Sequence, residues 1–101
     1  MRYEFTAPLW RHDGEAAWYF VTLPFDVADD IEERHGRTAG GFGSVRVRVR
    51  VGATEWATSV FPDTKRKSYL LPVKAAVRKA EGLVDGTPVA VALEVVTEAE
   101  P

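Results

Sequence analysis

The sequence predicts a mainly β protein: a small, mostly antiparallel six-stranded barrel with two short helices, in the order β-β-α-β-β-β-α-β. Three observations predict it. About six segments read as strands, the plainest being Val45 to Val51, VRVRVRV, where apolar and charged residues alternate strictly. Two short segments, one after Pro24 and one after Pro72, instead carry apolar residues at helical spacing. And this many strands in a chain of 101 residues is too much sheet to leave flat, since closure into a barrel removes the exposed edges.

The elements follow in order. Arg2 to Trp10 reads as a strand with Tyr3, Phe5, Ala7 and Leu9 on one face and Glu4 and Thr6 on the other; Pro8 marks an edge or a strand end. Asp13-Gly14 is a hairpin signal. Ala16 to Leu23, AAWYFVTL, is apolar on nearly both faces, which predicts a central strand antiparallel to the first. Pro24 ends it. Asp26 then caps a helix from Val27 to about Arg34, with Asp29 and Asp30 favourable in its first turn, Val27 and Ile31 as a thin apolar stripe, and Gly36 closing it. Residues 37–44 connect this helix to the Val-Arg strand. Gly52-Ala53 is a tight turn, Glu55 to Phe61 the return strand, and Pro62 to Lys67 a loop.

Ser68 to Val95 is the most heavily punctuated stretch. After a short strand, Pro72 starts a helix, where its missing N–H costs nothing. The cap is weak because Leu71 has no side-chain oxygen. Val73, Val77 and Ala80 fall on one helical face and Lys74 and Arg78 on another, while Lys79 suits the last turn. Gly82 supplies the left-handed closing residue, Asp85-Gly86 a turn, and Pro88 the start of a strand whose Val89, Val91, Leu93 and Val95 face one way. Residues 1–96 thus read as one barrel domain and 97–101 as a frayed tail.

Composition bounds the function. Forty-six per cent hydrophobic residues suffice for a core at this size, and the absence of cysteine excludes disulfides and thiolate metal sites and fits a reducing cytoplasm. No apolar run approaches the ~20 residues that span a bilayer, so no membrane role is expected, and the first ten residues, with Glu4, do not read as a signal peptide. The net charge of −2 hides an asymmetry: residues 44–82 carry +6, and the segments on either side −4 each.

Phe5, Leu9, Trp18 through Pro24, Val45 to Val51, Leu71-Pro72-Val73-Lys74, Val77-Arg78-Lys79, Gly82 and Asp85-Gly86 followed by Val89 together resemble the domain-of-unknown-function family DUF1905. The resemblance covers nearly the whole chain and is most specific over the second helix, its turn and the last strand. It implies a small prokaryotic β-barrel domain, joined in some members to a YdeI/OmpD-associated domain, and it implies no activity. One departure is visible. Members often have glycines before the central tyrosine, whereas this chain has Asp63-Thr64-Lys65-Arg66-Lys67 before Tyr69, so any ligand contact made by that loop would differ here. A looser likeness, in the Pro-started helix with Arg-Lys, Gly and a valine strand, is to the swapped-hairpin barrels of AbrB-type regulators and MazE-type antitoxins. Pro72 stands further from Arg78 than in that motif, and Asp85 precedes Gly86 instead of following it.

Arg46, Arg48 and Arg50 line one strand face at intervals of ~6.5–7 Å and can hold phosphate or carboxylate bidentately. With Lys74 and Arg78 they form the expected anion site; the bland alternative is a solvated outer face paired to cross-strand acids such as Glu55. Trp18, Trp56 and Tyr69 form an expected aromatic pocket, with core packing as its bland alternative. His12 with Asp13 and Glu15 gives no fixed metal geometry, and His35 suits a helix C-terminus, so no metal is expected. Gly40-Gly41-Phe42-Gly43 feeds a strand and not a helix, which makes it a turn or bulge and not a phosphate cradle. No Gly-x-Ser-x-Gly elbow surrounds Ser44, Ser59 or Ser68. The reading is a non-catalytic binding barrel for a small anion or a protein partner, with no cofactor. Nucleic acid is a disfavoured alternative, because overall acidity opposes tight non-specific binding, and an enzyme with an unseen site is a lesser one.

Overall fold

Alternation at a period of two decides which side of each strand faces inward. The computed structural model describes residues 2–14, 17–35 and 43–96. The expected closing glycine Gly36, positions 40–42 of the glycine loop, Glu15 and the 97–101 tail lie outside the described residues. The strands are β1 (Arg2–His12), β2 (Trp18–Thr22), β3 (Val45–Val51), β4 (Thr54–Asp63), β5 (Ser68–Pro72) and β6 (Pro88–Val95), with α1 (Phe25–His35) after β2 and α2 (Ala75–Glu81) after β5. They close into a barrel in the order β1-β2-β5-β4-β3-β6, and every pairing is antiparallel.

The valines of β3 point inward and its arginines outward. Val47 is 0 % exposed, and Val45, Val49 and Val51 are buried with it, while Arg46, Arg48 and Arg50 are exposed. Val89, Val91, Leu93 and Val95 of β6 and Leu9, Val21, Val60, Tyr69 and Leu71 complete the barrel interior. Val73 and Val77 close it from the α2 side, and Ala28 and Ile31 from α1. Ala80, grouped with Val77 by helical spacing, is exposed.

Three prolines depart from the sequence reading for one shared reason. Pro8 is neither at an edge nor at a strand end; it lies inside β1 opposite Pro88, where β1 changes its neighbour from β6 to β2. Pro62 does not open a loop, since β4 continues to Asp63 and Pro62 pairs with Tyr69. Pro72 does not start a helix; it ends β5 opposite Phe20, and α2 begins at Ala75 with Lys74 as an N-cap that makes no side-chain bond. A strand sends alternate backbone groups to opposite neighbours. In β5 the odd positions bond to β2, as the Leu23 N–H donates to Tyr69 O (3.0 Å) and the Val73 N–H to Tyr19 O (2.9 Å). Pro72 therefore turns its missing N–H toward β4, which has already left the ladder at Phe61. Staggered barrel strands provide such idle positions, and proline fits them without losing a bond.

The helix ends follow local chemistry. Pro24 O accepts the Ala28 N–H (2.9 Å), so α1 starts at Phe25, two residues before the expected Val27. Asp26 sits inside the first turn and accepts its neighbour's N–H (3.0 Å) instead of capping from outside. Gly82 takes the left-handed conformation that closes α2 (φ 66°). Gly52, in the β3–β4 turn at φ 59°, lies so close to the Glu81 carboxylate that a Cβ there would collide with it.

Candidate functional site

The barrel wall is uneven. β3 pairs with β4 over all seven of its residues, from Val45↔Val60 to Val51↔Thr54. β5 has five residues and meets β4 only through Phe61–Asp63 and β2 only through Phe20–Thr22. Beyond Pro72 no strand bridges β2 and β4 among the described residues, and the chain turns into α2. The result is a cleft of about 560 Å³ whose walls include Trp18, Tyr19, Trp56, Phe61, Lys74 and Arg78. Tyr19 and Trp56 are half-buried and pack against the core, while Trp18 stands 54 % exposed at the rim.

Arg78 is held in place from two sides. Its Nε donates to Val73 O (3.2 Å), and its guanidinium carbon lies 3.9 Å from the centre of the Tyr19 ring, a cation–π contact. Among the described residues neither Lys74 nor Arg78 has a carboxylate at ion-pair distance, whereas Arg2, Arg11, Arg34, Arg50 and Arg66 each have one. Two cations without acidic partners, over an aromatic floor, form an arrangement that favours an anion attached to an apolar or planar body.

The residues expected to form one anion site fall into two places. Lys74 and Arg78 line the cleft with Trp18 and Trp56. Arg46, Arg48 and Arg50 lie on the outer face of β3. There Arg48 and Arg50 border a hollow of about 90 Å³ beside Glu55 and Glu94, with Arg50 3.5 Å from Glu55 and Arg48 in register with Glu94, and Arg50 also borders an open hollow of about 440 Å³ beside Glu4. Tyr69 lies apart from Trp18 and Trp56: it is buried, and its hydroxyl donates to Glu32 Oε1 of α1 (2.8 Å). Burial first, and then this bond, push its pKa well above the usual tyrosine value. Tyr3 is tied to the same helix, donating to Asp30 Oδ2 (2.6 Å), and burial with that bond raises it to about 12. Asp30, in turn, is held below the usual carboxylate range by the bonds from Tyr3 and Arg34.

One feature is absent from the sequence reading. Trp18 and Phe20 point outward, not into the core, and they meet Trp10 and His12 on the outer face of β1. Trp10 is directly opposite Phe20, and His12 opposite Trp18. The signal is present in the sequence, since Trp10 falls on the polar face that carries Glu4 and Thr6.

A family model described as a domain of unknown function (DUF1905) matches residues 5–93, which is nearly the whole barrel. The chain belongs to this family. No curated protein matches the chain. The DUF1905 membership agrees with the resemblance carried by α2, its turn and β6, and the loop that departs from the family's glycines has a definite shape. Asp63 accepts the N–H groups of Lys65 (3.1 Å) and Arg66 (3.4 Å) and the Arg66 guanidinium (2.6 Å). That last bond is the main cause of its lowered pKa. Lys67 takes φ 54°, the left-handed region that glycine enters without penalty. In this DUF1905 domain no group of three or more His, Asp or Glu side chains among the described residues is placed to hold a metal, and no helix among them is long and apolar enough to cross a membrane.

Proposed function

We propose that this domain is a non-catalytic binding module whose ligand is an anionic small molecule with a planar or apolar body. The body lies against Trp56 and Tyr19, and the anionic group meets Arg78 and Lys74. The observation that carries the reading is the cleft where β5 fails to bridge β2 and β4: its floor is aromatic, and among the described residues its two cations have no acidic partner at ion-pair distance. Arg46, Arg48 and Arg50 have no ligand role in this reading, which is supported by their exposure and by the acids beside Arg48 and Arg50. The setting proposed is the cytoplasm, supported by a chain without cysteine.

Phenyl phosphate, benzoate and inorganic phosphate, followed by tryptophan fluorescence, test it. The two aromatic anions are expected to change the emission and inorganic phosphate to bind more weakly. Arg78→Ala is expected to weaken phenyl phosphate at least about tenfold, the loss of roughly one charge-assisted contact, while Arg48→Ala leaves it unchanged. Equal effects of the two substitutions, or no response to any of the three anions, would refute the reading.

A further inference from the structure

We infer that the outward aromatic ladder on β1 and β2 is a stacking surface for single-stranded nucleic acid. It goes beyond the cleft, sharing with it one ring, Trp18, and the flanking cations Lys74 and Arg78. Four rings, Trp10, His12, Trp18 and Phe20, occupy two directly opposed cross-strand pairs on the outside of the barrel. They touch in sequence. Trp10 and Phe20 are 5.3 Å apart between centroids, and Trp18 and Phe20 are 6.1 Å apart with planes within 8° of parallel. His12 lies edge-on to both Trp10 and Phe20. The ladder is held firmly: Trp10 Nε1 donates to Thr22 Oγ1 (2.9 Å), and the Arg66 guanidinium lies 4.9 Å from the Trp10 ring centre while bonded to Asp63. At its far end Trp18 is 54 % exposed. With Phe20 stacked along one side, its remaining surface is open to another flat ring.

The charges around the ladder decide between occupants. A protein interface is enriched in aromatic residues and arginine but depleted of lysine, so the rings with Arg66 suit either occupant and the lysines decide. The turn that supplies Arg66 also carries Lys65, and Lys74 and Arg78 lie beyond Trp18 along the cleft. Contiguous stacking rings flanked by cations suit a single strand, because every base has a π-face to stack and the backbone phosphates run beside the bases. All of these cations come from residues 44–82, which carry +6, so the net −2 of the whole chain does not describe this surface.

The test uses the full chain with fluorescein-labelled oligothymidylate of about 12 nucleotides, read by anisotropy at about 20 and about 200 mM salt. Binding is expected at low salt, falling as salt rises, with single strand preferred over duplex of the same length. Trp18→Ala, at a position 54 % exposed, is expected to leave the thermal melt within a few degrees and to cost about tenfold in binding, the loss of roughly one base stack, and Arg66→Ala to reduce the salt dependence. Absence of binding at low salt, equal binding of duplex, or affinity unchanged by Trp18→Ala would each overturn the inference. The cleft reading is tested separately, because phenyl phosphate responds there to Arg78→Ala and not to Arg66→Ala.

Discussion

The β3 side and the β5 side of the barrel are both antiparallel sheet, yet they end in opposite results. β3 is paired along its full length with β4 and over four residues with β6, its inner face is valine, and its outer face is a row of wet arginines with acids beside them. β5 pairs over three residues on each side and leaves the barrel wall incomplete. A continuous ladder satisfies its backbone, and the hollows along it, of about 90 and 440 Å³, are smaller than the cleft beside β5. A short strand leaves a gap, which α2 covers only in part, so the cleft that holds Lys74, Arg78 and Trp18 opens on the less regular side. In the proposed reading, regular alternation marks scaffold and interruption of the ladder marks the surface for recognition.

The largest expected effects set the two sides against each other in the core. Leu93 of β6 and Leu71 of β5 are 1 % and 0 % exposed, and replacing either with alanine is expected to cost about 2–5 kcal/mol. The cost depends on how far the surroundings can collapse into the void. Leu93→Ala should therefore fall in the upper half of that range and Leu71→Ala in the lower half, as read by urea denaturation. The reverse order would break the comparison.

Alkaline titration sharpens it next. Tyr69 ties β5 to α1 and Tyr3 ties β1 to the same helix. Both hydroxyls have folded pKa values raised above the unfolded 10.0, chiefly by burial. Their contribution is therefore fully present below pH 10 and lost as pH rises through the folded values, about 12 for Tyr3. Thermal melts are expected to fall steeply over that window in the native chain. Tyr69→Phe should flatten the fall more than Tyr3→Phe, since Tyr69 is the more deeply buried.

The smallest effect lies in the β4–β5 turn. Lys67 holds a left-handed φ that costs a non-glycine residue roughly 1–2 kcal/mol, partly offset by the greater chain entropy that glycine loses on folding. Lys67→Gly is expected to raise stability by up to about 1 kcal/mol, measured by the same denaturation. A destabilising result would mean that the lysine side chain contributes a contact that outweighs its backbone strain.

These contrasts also explain what the sequence makes legible. The Val-Arg alternation of 45–51 fixes an inward and an outward face with no further information, and the valines of β6 do the same. Gly82 and Gly86 are readable because positive φ has so few takers. Pro8, Pro62 and Pro72 mislead because the cost of a missing N–H depends on whether a neighbour stands opposite, and strand stagger is not written in local sequence. Trp18 and Phe20 leave the question open because a strand apolar on both faces does not say which set turns inward; the answer comes from Val21, which the barrel buries, and from the pairing with β1. Lys74 and Arg78 are singled out by their spacing, but their separation from the β3 arginines follows from where β5 ends.

The most direct test of the central contrast is a titration of the isotopically labelled protein with phenyl phosphate, followed through the tryptophan indole N–H and arginine Nε–H resonances. Shifts at Trp56, Trp18 and Arg78, with Arg46, Arg48 and Arg50 unmoved, are the predicted result. Shifts confined to the three β3 arginines, with Trp56 and Arg78 silent, would contradict it.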